Sequence, residues 1–167
     1  MQAVMADKSY NAIENLDYGL QFAEDRILVG KNAEKLTVWF NYGGTPSSHN
    51  KSTTLIYDSA SGKYLSHQYG KENVDGNTGE TLSFTNVLVL VADTALNSDN
   101  YTLSIDLVGQ GEGWFSCGGK TVAIRWSRDS ETGPFVYTLE DGTMRLDANR
   151  AEDGKLERVF SAKLLFG

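Results

Sequence analysis

The chain has little of several things that would announce a function. One cysteine in 167 residues removes any internal disulfide framework. Two histidines, His49 and His67, stand without a second ligand at the spacing that makes half a zinc site. Lys and Arg total 15 against 22 Asp and Glu, a net charge of -7. That balance supplies no basic field for a phosphate backbone, so nucleic acid is not an expected partner. The longest apolar run, Val87 to Ala92, suits one strand and falls far short of the roughly 18 residues a membrane helix needs. Met1 to Ala12 lack the basic start and apolar stretch of a secretory signal, and no cysteine there can accept a lipid. No serine sits in a Gly-x-Ser-x-Gly elbow or a Ser-x-x-Lys motif, so acyl transfer has no visible nucleophile.

What is present is a turn-rich β pattern. Seventeen glycines accompany only two prolines, and hydrophobic residues make up 40%. Tyr10 to Arg26 reads equally as a short helix or an irregular lead-in, with Ile13, Leu16, Leu20 and Ala23 at helical spacing and Gly19 against it. The period then becomes that of strands. Leu36, Val38 and Phe40 alternate with Thr37, Trp39 and Asn41, and Tyr42 to Ser48 breaks the pattern. Ser52 to Asp58 and Lys63 to Tyr69 read as a hairpin across Ser59 to Gly62, with Tyr64 and Leu65 on opposite faces. Asn86 to Ala92, with Val87 to Val91 uninterrupted, fits a strand buried on both faces at the centre of the core.

Asp93 to Asn100 reads as a loop. Tyr101, Leu103, Ile105 and Leu107 then alternate with polar residues, which predicts one buried and one wet face. Gly109 to Gly113 reads as a turn into Trp114 to Ser116; strands follow at Val122 to Trp126, Phe135 to Leu139, Thr143 to Leu146 and Val159 to Phe166. About nine or ten short strands at intervals of roughly 8 to 12 residues predict an antiparallel sandwich or open barrel. The expected organisation is a lead-in over 1–21 and one β domain over 22–167.

Candidate chemistry is sparse. Gly109-Gln110-Gly111-Glu112-Gly113 lacks the lysine and following helix of a phosphate loop, and alternate glycines instead suit a sharp bend or a close backbone approach. Asp75, Asn77 and Glu80 are oxygen ligands in a dense turn, but the calcium-loop pattern fails, with Asn86 at its twelfth position. Cys117 has no histidine close in sequence and reads as an inert small side chain. No metal or cofactor is expected. Trp39, Trp114 and Trp126 read first as core and second as a groove lining. The binding candidates are Gly109, Gly111, Gly113, Trp114 and Trp126, since glycine-exposed backbone beside aromatics suits a groove. Asp106 and Glu112 are the carboxylate pair a hydrolase would use.

Tyr57-Asp58-Ser59-Ala60-Ser61-Gly62-Lys63-Tyr64-Leu65, then Gly70, Asp75, Thr78-Gly79 and Asn86-Val87-Leu88-Val89, form one ordered set of motifs. Ile105 to Gly113, Gly119 to Ser127 and Asp141-Gly142 form a second. Together, from about Phe22 to Leu146, they make a chain that resembles the C-terminal domain of the YerB-like lipoproteins, a family of unknown function. The resemblance implies a Gram-positive, extracytoplasmic protein tethered by a lipidated N-terminus that this chain does not contain, and a large preceding domain. It brings no catalytic residue, and it leaves Glu157 to Gly167 without family support.

These readings lead to one expectation and two rivals. The expectation is a non-catalytic module that binds a cell-envelope protein or wall polymer. The rivals are a carbohydrate-active or wall-modifying hydrolase, marked by buried close carboxylates, and a scaffold for another domain, marked by an exposed apolar patch.

Overall fold

A computed structural model describes residues 21–23, 28–40, 51–139, 147–149, 158–160 and 163–165. The strands in chain order are β1(Gln21–Ala23), β2(Lys31–Asn32), β3(Lys35–Phe40), β4(Lys51–Asp58), β5(Lys63–Gln68), β6(Lys71–Glu72), β7(Ser83–Phe84) and β8(Asn86–Leu90), followed by β9(Thr94–Leu96), β10(Leu103–Ile105), β11(Gly109–Cys117), β12(Lys120–Arg128), β13(Val136–Leu139), β14(Asp147–Asn149), β15(Arg158–Phe160) and β16(Lys163–Leu165). One six-stranded sheet runs β13-β12-β11-β8-β15 with β2 on β12, and the other runs β16-β3-β4-β5-β6 with β7 on β5. Two further pairs, β1 with β14 and β9 with β10, stand apart from both sheets. The described residues are all β, with no helix, and the sheets do not close into a barrel, so the sandwich alternative holds.

The strands outnumber those visible in the sequence because several are only two or three residues long, too short to show a period. Two pairings, β1 with β14 and β15 with β8, are parallel and depart from the antiparallel expectation. Of the Tyr10 to Arg26 segment, the described part is strand β1 rather than helix. The Tyr42 to Ser48 break, His49 and Thr143 to Leu146 lie outside the described residues.

β8 explains how the core is divided. Its five residues are all buried, and alternation sends Leu88 and Leu90 to one side and Val87 and Val89 to the other. On the first side they join Phe115, Cys117, Ile124, Trp126, Phe135 and Tyr137. On the second they meet Leu36, Val38, Leu55 and Tyr64 of the facing sheet, with Trp114 packed against the group. Strand β8 is thus the layer between two apolar clusters, which is why its sequence shows no polar alternation. Tyr64 is fully buried, and its hydroxyl donates to the Ala33 carbonyl at 3.1 Å.

The β11–β12 hairpin carries the candidate residues. It closes through Gly118 and Gly119, at φ 56° and 72°, between the paired Cys117 and Lys120. Positive φ at both central residues matches the twist of the flanking strands. The segment Gly109 to Gly113, read from sequence as a turn, is instead the first half of β11, paired residue by residue with Trp126 and its neighbours on β12.

Candidate functional site

Register fixes what the glycines do. Gly111 lies opposite Trp126 and Gly113 opposite Ile124. A Cβ on Gly111 would stand 2.5 Å from Trp126 Nε1 and 2.6 Å from the Val91 carbonyl oxygen; one on Gly113 would stand 2.6 Å from the Val89 carbonyl oxygen. Both are far inside van der Waals contact, so these positions admit no side chain unless the neighbours move. The missing atoms let the Trp126 indole lie across β11 and donate its Nε1 hydrogen to the Val91 carbonyl at 2.9 Å. Of the two uses foreseen for the glycines, close backbone approach is realised at Gly111 and Gly113. Gly109 is different: a Cβ there would meet nothing within 4 Å, but its φ of 125° is one that other residues avoid.

A cleft of about 240 Å³ opens beside this crossing. β8 ends at Leu90 opposite Gly113, whereas β11 continues back to Gly109, so the Gly109 to Glu112 edge is not covered by β8. The chain leaves β8 through Val91, Ala92 and Asp93, returns from β10 through Asp106 and Val108, and encloses a space with Gln110, Gly111, Glu112 and Trp126. Backbone bonds hold the rim: Val91 N donates to Glu112 O and Asp106 N to Asp93 O, each at 2.9 Å. The Asp106 carboxylate also accepts from Val108 N at 3.0 Å.

The structure therefore brings together Gly111, Trp126, Asp106 and Glu112 of the sequence candidates and leaves out Gly109, Gly113 and Trp114. Trp114 is on the opposite face of β11 from Gly111 and Trp126, half-buried against the Val87, Val89 and Tyr64 cluster, and by alternation the side chains of Gln110 and Glu112 share that face. Trp126 is buried in the other cluster and gives the cleft only part of its surface. Core rather than groove is thus the main role of both. Asp93 and Gln110 were missed. Asp93 stands in a polar segment without a period, and Gln110 stands between glycines whose composition is that of a turn, so neither carries a local signal.

Chemically the cleft is acidic and open. Asp93, Asp106 and Glu112 are all exposed. Glycoside hydrolysis needs a carboxyl shielded from water to act as general acid, and the cleft offers no such shielding. Among the described residues no group of three or more His, Cys, Asp or Glu is arranged to hold a metal ion. Asp75 belongs to its turn: its carboxylate accepts from Asn77 N at 2.8 Å and Thr78 N at 2.9 Å, and these donors, Thr78 first, hold it below the usual carboxylate range. Burial pushes the Cys117 thiol up to about 11, which favours the unreactive protonated form. His67 is half-buried on β5, and its Nδ1 is enclosed without a hydrogen-bond partner among the described residues. No helix among the described residues is long and apolar enough to cross a membrane.

Comparison with known proteins agrees with this architecture. The crystal structure of YerB protein from Bacillus subtilis superposes with a TM-score of 0.64 at 19% identity, covering 89% of this chain and 46% of that one. The chain thus spans less than half the length of that relative, and the likeness is one of fold. No curated protein matches the sequence. Residues 44–149 match the family described as protein of unknown function (DUF3048), C-terminal domain, and the chain belongs to that family.

Proposed function

We propose that this chain is an extracytoplasmic β module of a lipid-tethered envelope protein, and that it binds a cell-envelope protein or wall polymer without transforming it. The observation that carries the binding reading is the cleft itself. A rigid floor of Gly111 and the Trp126 indole is fixed by the Nε1 bond to Val91 and bordered by exposed Asp93 and Asp106. A preformed concavity with a few polar groups around an aromatic is the usual form of a recognition site. The location outside the membrane rests on the resemblance to the YerB-like lipoproteins. The exposed Asp93 and Asp106 carboxylates favour partners that carry amino or guanidinium groups and disfavour polyanions.

A thermal-shift panel of soluble peptidoglycan fragments and wall polymers tests this reading. A ligand that raises Tm on the wild-type chain, and no longer does so on Asp93→Ala or Asp106→Ala, supports it. Both side chains are exposed, so the substitutions spare the core. Silence across the panel, or a shift that both variants retain, contradicts the cleft as the site. A second reading, a scaffold seating another part of a longer protein, draws on the apolar surface exposed next to the cleft.

A further inference from the structure

We propose that the β9–β10 hairpin receives a cationic polypeptide strand, added along the outer edge of β10; this rests on the partner-binding reading and names the class of partner. The sequence alternation over Tyr101 to Leu107 is that of a half-buried strand, yet the burial is missing. Tyr101 is 92% exposed, Leu103 49%, and Leu96 and Ile105 39% each. Leu96 pairs with Leu103 across the hairpin and Thr94 with Ile105, so these apolar side chains share one face. An apolar face of this kind on an otherwise ordinary acidic surface marks an interaction site.

The ladder shows which backbone groups are free to pair. Asn97 N donates to Thr102 O and Asp106 N to Asp93 O, each at 2.9 Å, so those two pairs are the hydrogen-bonded ones. Antiparallel pairs alternate between bonded and non-bonded, which places Leu103 and Ile105 on non-bonded pairs. Their N–H and C=O groups therefore point away from β9. Among the described residues no strand pairs with that edge, and it carries neither the lysine nor the proline that commonly blunts one.

Charge selects the occupant. From Thr81 to Gly119 the sequence contains Asp93, Asp99, Asp106 and Glu112 and no Lys, Arg or His; across the sheet Arg125 of β12 stands opposite Glu112, which leaves Asp93, Asp99 and Asp106 as the carboxylates of the hairpin itself. Asp99 is at the hairpin tip, accepting from Tyr101 N and Thr102 N at 2.9 Å, and Asp93 and Asp106 lie at its base beside the cleft. A second copy would bring the same acidic face against this one, and a polyanion would be repelled. A strand alternating basic and apolar residues meets both demands: main-chain bonds along β10, and cationic side chains toward the carboxylates.

The test uses the whole chain and short synthetic peptides, followed by anisotropy for affinity and by amide hydrogen exchange for location. A peptide alternating Lys and Val should bind saturably, while its Glu and Val counterpart does not. Exchange at Leu103 and Ile105 should slow in the complex. N-methylation along the pairing edge of the peptide, or the double substitution Leu103→Lys with Ile105→Lys, should weaken binding by about tenfold or more. Equal binding of the acidic peptide, undiminished binding of the N-methylated one, or protection mapping elsewhere would overturn the proposal. So would self-association of the free chain that the double substitution abolishes, since the occupant would then be a second copy. If these peptides fail while wall fragments still act through Asp93 and Asp106, this inference falls alone. If both are silent, the partner-binding reading falls with it.

Discussion

Replacing Gly111 by alanine probes the feature on which the cleft is built. The new methyl would lie 2.5 Å from Trp126 Nε1, 2.7 Å from Trp126 Cε2 and 2.6 Å from the Val91 carbonyl oxygen. None of these atoms yields easily. The indole is buried and meets the Phe135 ring at 5.9 Å, and Val91 is tied through its N–H to Glu112. Overpacking of a well-filled site costs ~1–3 kcal/mol, and loss of the indole hydrogen bond ~0.5–1.5 kcal/mol. The more restricted unfolded chain offsets ~0.4–1 kcal/mol of that. The expected net loss is ~2–3 kcal/mol, a fall in Tm of roughly 5–10 °C for a chain of this size. Urea denaturation followed by tryptophan fluorescence measures it, with the Trp126 indole N–H resonance reporting the displaced ring. Gly76→Ala, which meets nothing within 4 Å, is the control and should change stability by less than about 0.5 kcal/mol. Combining Gly111→Ala with Trp126→Phe should cost less than the two changes added together, by about 1 kcal/mol or more, because the smaller ring makes room for the methyl. A stability for Gly111→Ala within about 0.5 kcal/mol of wild type, with the indole resonance unmoved, would refute the close-approach account.

Tyr64→Phe should destabilise by ~1–2 kcal/mol in the same urea assay, since it removes the donor to a buried Ala33 carbonyl. Cys117, shielded in the core and raised by burial, should resist thiol reagents in native buffer and react fully once the chain is unfolded. Its folded value of about 11 exceeds the ordinary 9.0, so its contribution to stability is complete below pH 9 and lost as pH rises toward 11. Urea midpoints across that range should fall, and fall less in Cys117→Ala. At the other end, Asp58, Asp75 and Asp99 are all held below 3.8, the first and third chiefly by the Ser61 and Thr102 hydroxyls and Asp75 chiefly by the Thr78 N–H. Their contribution is therefore present above that value and lost as pH drops through the folded ones. Asn at any of the three should flatten the acid limb of the stability profile.

Much of the fold was legible because long strands carry their own period. The uninterrupted run of β8 announced a strand covered on both sides, and the structure divides its side chains between two clusters. The β4–β5 hairpin was equally clear, with Tyr64 inward and Gly62 at φ 69° after its turn. Alternation failed where covering depends on contacts that local sequence does not encode. Leu103 and Ile105 have the pattern of a buried face and remain exposed. Glycine misled for a related reason. Gly109 to Gly113 has turn composition, but Gly111 and Gly113 are small because Trp126 and the β8 backbone lie against them, a fact visible only in cross-strand register. The site was half legible: Asp106, Glu112, Gly111 and Trp126 converge, whereas Trp114 turns away and Asp93 joins from a segment without a pattern.

The cleft as a recognition surface is tested most directly by amide and indole spectra of the isotope-labelled chain titrated with soluble peptidoglycan fragments. The account predicts saturable shifts concentrated at Val91 to Asp93, Asp106 to Glu112 and the Trp126 indole N–H, and their loss in Asp93→Ala. An unchanged spectrum at saturating fragment, or shifts centred on the opposite face around Trp114, would contradict it.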